Sequence, residues 1–427
     1  MKALLINGPQ RACGKLALSG NKNAALPMIA AALLTDETVE MHNVPDILDV
    51  RNMLAIVRAL GAQCSFERGV LTVRGGCGGT VLPVELCRAV RTSILFGGPL
   101  AARCGECLIA PPGGDVIGRR RLDTHLYGLR KLGIEVTFAD GAYHFMRGKE
   151  LHGAELFLDE ASVTATEHIL MVAVLARGRT VIRNAACEPH IANLAEMLNA
   201  MGARISGVET NILTVDGVEK LHGAQVSIGA DHVNAASFLA LAAVTGGEVE
   251  LTGAIRPHDY WMTRRVFERF GARFVVEPGR LYLNQNTPMR VENDCDGVMP
   301  TISDGPWPQF PSDMMSCLIA MATQCQGAVL FFEKMFESRI YFVDRLRAMG
   351  ANAIICDPHR AVISGPSQLH GTELISPDIR AGMALILAAC CAHGTSLLRN
   401  ADMVYRGYEN LPANLMSLGI AAEEREM

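Results

Sequence analysis

Between Pro111 and His125 the chain reads PPGGDVIGRRRLDTH: two glycines, the carboxyl of Asp115, the guanidiniums of Arg119, Arg120 and Arg121, then Asp123 and His125. Almost no helical or strand period runs through it, so it predicts a loop. Three adjacent arginines repel one another, and an anionic ligand among them is the economical remedy. A solvated charged face is the alternative, above all for Arg119 and Arg121. An acid beside such an anion can deliver a proton, provided burial or like charge keeps it protonated. An Asp in a GGD turn also satisfies plain turn geometry. Elsewhere, Lys22 follows SGN at the start of an apolar segment, where an ammonium is badly placed unless an anion joins it at the helix N-terminus. Asn23 beside it suits capping. Asp313, in FPSDMMS, opens a second apolar segment, where the helix dipole favours a carboxylate. Arg91 stands at a loop-to-helix junction. Arg339, Arg380 and Arg406 add further guanidiniums, each of which could equally be a surface ion-pair partner. The chemistry on offer is proton transfer next to a bound anion.

The elements that must position these residues repeat. A helix-like stretch ending in Leu, Met or Phe, then Gly, then a short apolar strand recurs around Gly61, Gly133, Gly202, Gly271, Gly350 and Gly419, at spacings of 72, 69, 69, 79 and 69 residues. Glycine suits a helix C′ position, where positive φ costs it nothing. A second helix is apolar nearly all round and so predicted to be buried: KNAALPMIAAALL, TATEHILMVAVLA, NAASFLALAAV, SDMMSCLIAMATQ and DIRAGMALILAACC. A strand follows each, as in ETVEMHNV or GEVELTG. Six units of roughly seventy residues fill the chain, longer than solenoid repeats usually run. Three units per globe, with helices inside and sheets outside, is the predicted architecture.

Composition narrows the function. The chain has 427 residues, 49% hydrophobic and 19% charged, with net charge −5. No basic field covers it, so a nucleic-acid surface is not expected and anion recognition must be local. The 13 cysteines give no CxxC…HxxxH spacing, which argues against a structural zinc, and no metal is expected. Several cysteines sit in apolar runs such as ILAACCAHG, which suits a reducing compartment. The longest apolar runs fall short of a bilayer span, and no leader-like stretch opens the sequence. A cytoplasmic protein with no membrane partner, monomeric or weakly homo-oligomeric, is expected.

Several blocks, in order, resemble the UDP-N-acetylglucosamine enolpyruvyltransferase family: LSGNKNAALPMIAAALL, RTSILFGGPLAARCG, PPGGDVIGRRRLDTHLYGL, FPSDM, FESRIYFVDRL, DIRAGMALILAA and YRGYENL. The sister enzymes that make enolpyruvylshikimate phosphate share the fold, but their first block differs. The resemblance implies a two-domain inside-out α/β barrel of six β-α-β-α-β-β units. One domain is expected over 22–229 and the other over 1–21 plus 230–427, with the active site in the cleft between them.

It also implies the reaction: the enolpyruvyl group of phosphoenolpyruvate passes to a sugar hydroxyl and phosphate leaves, with no cofactor. Lys22, Asp115 and Asp313 become the catalytic residues, with Asp313 the base. Asn23 orients the acceptor, Arg91 lies near the ligand phosphates, and Arg120, Arg380, Arg406 and Arg339 hold the phosphoenolpyruvate anion. Asp123 and His125 fall where the family recognises uridine, and Asp49 and Glu188 are supporting residues. The family usually has a cysteine at position 115, the general acid that fosfomycin alkylates. Asp there predicts fosfomycin resistance, because the epoxide needs a thiolate.

The chain departs from the pattern at Glu160 (usually Lys), Thr164 (usually Gly), His190 and Asn234 (both usually Glu), and carries Trp307 beside the Asp313 helix. These departures are expected on the acceptor side. An anion at 160 beside a diphosphate costs binding by Coulomb repulsion. Transfer to UDP-N-acetylglucosamine, in peptidoglycan precursor synthesis, is the leading expectation. Transfer to another uridine nucleotide such as UMP is the alternative that Glu160 favours, and a silent nucleotide-binding relative is a third.

Overall fold

The computed structural model describes residues 2–76, 78–114 and 121–427, so Asp115, Arg119 and Arg120 lie outside the described residues. Six buried helices organise it: α1 (Lys22–Ala31), α2 (Gly97–Cys104), α3 (Val163–Ala173), α4 (His232–Val244), α5 (Ser312–Ala322) and α6 (Ile379–Cys391). α4 is buried from His232 to Ala243 and α6 from Ile379 to Cys390, as expected of helices apolar on every face.

Apolar runs mark five of these helices. The sixth, α2, follows a 3-10 turn at Arg91–Phe96 and carries Gly97, Gly98 and Pro99, a start with poor helix propensity. Packing is the reason. A Cβ on Gly97 would lie 2.7 Å from the Phe145 ring, and one on Gly98 would lie 2.6 Å from His168 Cδ2.

The chain divides into two compact units. One combines residues 2–19 with 230–427. In it α4, α5 and α6 pack on one another, and three four-stranded sheets supply the other layer. Strand Thr301–Ser303 runs parallel to Gly327–Phe332, the chain between them passing through α5, and Glu373–Ile375 runs parallel to Gly394–Arg399 across α6. Each parallel pair extends into antiparallel partners. Lys2–Gly8, for example, lies between Gly394–Arg399 and Ala422–Glu426, which ties the start of the described chain to its end.

The other unit comprises 20–114 and 121–229. Here α3 packs on α1 and α2, with two four-stranded sheets and one three-stranded sheet. Two strands are exchanged between repeats. Cys13–Ala17, which precedes α1, pairs parallel with Glu248–Thr252, which follows α4. Ala224–Ser227, which precedes α4, pairs parallel with Val39–His42, which follows α1. The second repeat is the irregular one: its leading strand shrinks to a single bridge between Val81 and Leu108.

All six repeat glycines have positive φ, from 74° to 102°. Gly61, for example, follows the helix Leu48–Ala59, with Leu60 at its C-cap, the left-handed stop that a side chain would strain. Among the described residues no helix is long and apolar enough to cross a membrane.

Candidate active site

In the unit of residues 20–114 and 121–229, the site begins at the N-terminus of α1. The Asn21 side chain caps it, accepting from the backbone N–H of Asn23 at 2.8 Å and of Ala24 at 3.2 Å. This holds Lys22 at the first helical position. Its ammonium meets Asp49 Oδ2 at 2.6 Å, with side-chain exposures of 11% and 3%. Asp49 itself sits in the first turn of Leu48–Ala59, where the dipole favours it. The two residues are therefore one buried ion pair, with Asn23 half-buried beside them.

The double glycine of PPGGD is explained by the chain it lies against. The Gly113 N–H donates to Cys87 O at 3.1 Å. A Cβ on Gly113 would fall 1.7 Å from Arg88 O, and one on Gly114, at φ +108°, would lie 3.0 Å from Arg91 Cβ. Gly113 and Gly114 thus run directly over Arg88 and Arg91, a placement only glycine permits.

Asp123 pairs with Arg121 at 2.7 Å, both well exposed. They line a shallow depression of about 520 Å³ with Tyr127, Arg130, Lys131 and Asp159. A larger one, about 860 Å³, lies by Asp36, Arg103, Arg147 and Arg177 and contains none of the expected site residues.

His125 is 2% exposed, and both ring nitrogens are engaged within the protein. Nδ1 meets His168 Nδ1 at 3.1 Å and Nε2 meets Thr164 Oγ1 at 3.1 Å. His168 Nε2 in turn accepts the Gly98 N–H at 2.6 Å. An amide can only donate, so the neutral His168 carries its proton on Nδ1, His125 carries its own on Nε2, and Thr164 Oγ1 is the acceptor. The Thr164 hydroxyl proton is left to point elsewhere. Burial pushes the His168 pKa down to about 3 and, with the charges of His168 and Arg91, holds His125 well below the ordinary range. The Thr124 hydroxyl approaches Glu160 Oε1 at 3.5 Å on the same face. Deeper in, burial and then Glu188 push Glu167 well above the usual carboxylate range. His190 is 5% exposed in the first turn of Pro189–Ala200.

The unit of residues 2–19 and 230–427 holds a second cluster at the N-terminus of α5. Asp313 Oδ1 accepts from Arg339 Nη1 at 2.9 Å and its Oδ2 from Arg380 Nη2 at 3.4 Å. Both arginine side chains are only 5% exposed, whereas Asp313 is 31% exposed. The carboxylate thus faces outward from two buried guanidiniums. Arg380 opens α6, whose cap Asp378 accepts the Arg380 and Ala381 N–H groups. Its guanidinium lies 5.7 Å over the Tyr408 ring, and its Nη1 donates to Asn234 Oδ1 at 3.1 Å.

Asn234 stands beside Arg380 because α4 packs against α6 and delivers it there. Its Nδ2 donates to Gly407 O at 3.0 Å, which fixes the chain next to Arg406, itself half-buried after the short helix Asp402–Tyr405. Of the expected residues, then, Asp313, Arg339 and Arg380 form one cluster and Lys22 another with Asp49. Sequence reading missed Ser312, Asp304, Glu333 and His232. His232 stacks edge-on to Trp307 at 5.8 Å, and burial and the Arg380 charge lower its pKa to about 4.

Residues 6–415 match the family model described as EPSP synthase (3-phosphoshikimate 1-carboxyvinyltransferase). The chain is 49% identical, over the whole length of both, to the UDP-N-acetylglucosamine 1-carboxyvinyltransferase of Treponema denticola. It is 48% identical to the protein of the same name from Bradyrhizobium diazoefficiens, covering 97% of this chain and 96% of the relative. Among solved structures, the enolpyruvyl transferase NikO from Streptomyces tendae superposes with TM-score 0.89 at 22% identity, covering 99% and 98% of the two chains. The EPSP synthase of Acinetobacter baumannii superposes with TM-score 0.78 at 20% identity over the full length of both. These structural likenesses establish the two-domain inside-out α/β fold, and the full-length sequence identities decide the branch: the chain belongs to the UDP-N-acetylglucosamine 1-carboxyvinyltransferase family.

Proposed function

We propose that the protein transfers the enolpyruvyl group of phosphoenolpyruvate to the 3-hydroxyl of UDP-N-acetylglucosamine and releases inorganic phosphate, a step in making peptidoglycan precursors. The observation that carries this reading is the cluster at the start of α5. Two buried guanidiniums grip a half-exposed carboxylate, and family membership supplies the substrates.

The chemistry asks for an anion-holding site, a proton donor and a base. A proton adds to the methylene carbon of phosphoenolpyruvate, which leaves positive charge on the neighbouring carbon. The sugar oxygen attacks that carbon as Asp313 takes the hydroxyl proton. The bond to phosphate then breaks with its electrons going to phosphate, and loss of a methyl proton restores the double bond. Arg380, Arg406 and Arg339 are assigned to the anionic groups of phosphoenolpyruvate, Lys22 and Arg91 to phosphate, and Asn23 to the acceptor. Asp115 as the acid and Arg120 as a further anion holder keep the roles that the resemblance implies. Asp123 is assigned to uridine, and the Thr164 hydroxyl, backed by His125, replaces His125 as the group offered to the acceptor.

One observation favours a second acceptor. Glu160 and Thr124 stand beside the Thr164–His125 pair, an arrangement that suits a nucleotide without a diphosphate-linked sugar, such as UMP. Phosphate release with phosphoenolpyruvate and a panel of uridine nucleotides separates the readings. Release with UDP-N-acetylglucosamine supports the first and release with UMP alone the second. Nucleotide binding with no release from any member of the panel refutes both.

A further inference from the structure

Behind the Asp313 cluster lies a pair of fully buried carboxyl groups that the reaction does not use directly. Asp304 and Glu333 are each 0% exposed. Asp304, just after strand Thr301–Ser303, accepts the Lys334 N–H on Oδ1 at 2.5 Å. Glu333, just after Gly327–Phe332, accepts on Oε1 from Ser312 Oγ at 2.7 Å and from the Phe336 N–H at 3.2 Å. Ser312 Oγ also lies 2.9 Å from Oε2 and itself accepts from Arg339 Nη1 at 3.0 Å. The same Nη1 reaches Asp313. A hydrogen-bonded chain therefore runs Glu333, Ser312, Arg339, Asp313, and Asp304 Oδ2, buried with no donor among the described residues, stands beside Glu333.

We infer that Glu333 is a neutral carboxylic acid that donates its proton to Asp304 and, through the Ser312 hydroxyl, positions Arg339 on Asp313. Donors occupy Glu333 Oε1, which leaves Oε2 as the oxygen to carry that proton. Two carboxylates in contact without a proton between them would repel. Arg339 and Arg380 already face Asp313, Asp378 and Asp231, so an ionised Glu333 beside Asp304 would add a surplus buried anion. Burial, and then the hydrogen bond and charge of Asp304, raise the Glu333 pKa to about 9, against the opposing pull of Arg339 and Ser312. The other groups at hand do not alter this. His359 Nδ1 meets the Glu333 backbone oxygen at 2.7 Å, and Lys334 Nζ binds Ser303 Oγ at 2.9 Å. Ser312 and Glu333 are positioning residues, and that role rests on the reading of Asp313 as the base.

Two measurements keep the protonation and the positioning apart. The first needs no activity. A carboxyl that keeps its proton in the folded chain but loses it on unfolding makes stability fall as pH rises above the ordinary carboxylate range toward 9. In wild type the urea midpoint is expected to drop between pH 6 and pH 9 by clearly more than in Glu333→Gln, whose amide keeps the bond to Asp304 without titrating. Equal drops overturn the shared proton. Asp304→Asn, which supplies an N–H to Glu333, is expected to flatten the same slope and serves if the first variant does not fold. The second measurement is steady-state kinetics. Ser312→Ala is expected to lower kcat at least tenfold with both KM values within about threefold, and Glu333→Gln to keep kcat within about threefold at pH 7.5. A Ser312→Ala enzyme with wild-type kcat refutes the positioning, as does a Glu333→Gln enzyme no better than Glu333→Leu. If wild type releases no phosphate from any acceptor, the base reading fails while the pH slopes still decide the protonation.

Discussion

The histidine chain behind Thr164 gives the most exacting test of the structure, because its bonds assign each proton. His168 is buried and neutral, with a folded pKa of about 3 against 6.5 in the unfolded chain. A base whose pKa is depressed by folding stabilises the native state fully above the unfolded value, and that contribution is lost as pH falls, because the unfolded chain takes up a proton that the folded chain refuses. The window therefore opens near pH 6.5 and runs down toward 3. Integrating from pH 7.5 to pH 5 gives a loss of about 2 kcal/mol from this one residue, which for a urea m-value of about 2 kcal/mol per M is a midpoint shift of about 1 M. The perturbation that isolates it is His168→Gln. A glutamine oxygen can accept the Gly98 N–H and its amide can donate to His125 Nδ1, so both bonds survive and the titration does not. Urea unfolding of both proteins at pH 7.5 and pH 5, read in the transition of the unit that contains α3, is the assay. The variant is expected to match wild type within about 1 kcal/mol at pH 7.5 and to lose about 2 kcal/mol less on acidification. Equal losses would show that His168 takes a proton in the folded protein, and a large deficit at pH 7.5 would show that the assigned tautomers are wrong.

Other substitutions probe the remaining contacts. Asp49→Ala takes the carboxylate away from the buried Lys22 ammonium and is expected to cost about 3–5 kcal/mol, seen as a lowered thermal midpoint. Gly98→Ala drives a methyl to 2.6–2.8 Å from the His168 ring and Val172 and should cost about 1–3 kcal/mol in urea unfolding through overpacking. Arg380→Lys cannot span Asn234 and Asp313 with one ammonium. It is expected to raise KM for phosphoenolpyruvate at least tenfold while KM for the nucleotide moves less than threefold. Asp115→Cys is expected to confer alkylation by fosfomycin, read as a mass increase that wild type does not show; an active variant left unmodified contradicts the role assigned to this position.

Much of the fold is written in local pattern. The six glycines announce themselves because one backbone requirement, a left-handed stop after a surface helix, recurs at nearly constant spacing. Five core helices are legible because a helix buried on every face must be apolar on every face. α2 escapes for a reason that is not local. Gly97 and Gly98 lower its helix propensity so that the Phe145 and His168 side chains can approach, and those partners lie tens of residues downstream. The strand exchange that sends Cys13–Ala17 to Glu248–Thr252 is equally silent in the sequence, since a short strand does not name its neighbour.

The site divides along the same line. Motifs mark where Lys22, Asp313, Arg339 and Arg380 stand, but taken singly each arginine reads as a surface charge, the usual fate of that residue. Only the fold reveals that Arg339 and Arg380 are buried, and burial changes the physics: a guanidinium out of water demands partners for its charge and its protons. Those demands draw in Asn234, Ser312, Glu333 and Asp304, none of which a motif singles out as chemistry. The same reasoning applies to His125. A histidine in a loop-to-helix segment advertises a ring for recognition until His168, forty-three residues on, turns out to occupy one nitrogen and Thr164 the other. Sequence thus locates the groups that carry charge, while the choice between presenting that charge to a ligand and spending it on a neighbour is made by tertiary contacts. A Thr at position 164 matters for that reason. Its hydroxyl is the outer end of the chain that runs from Gly98 through His168 and His125, whose inner proton positions are all fixed.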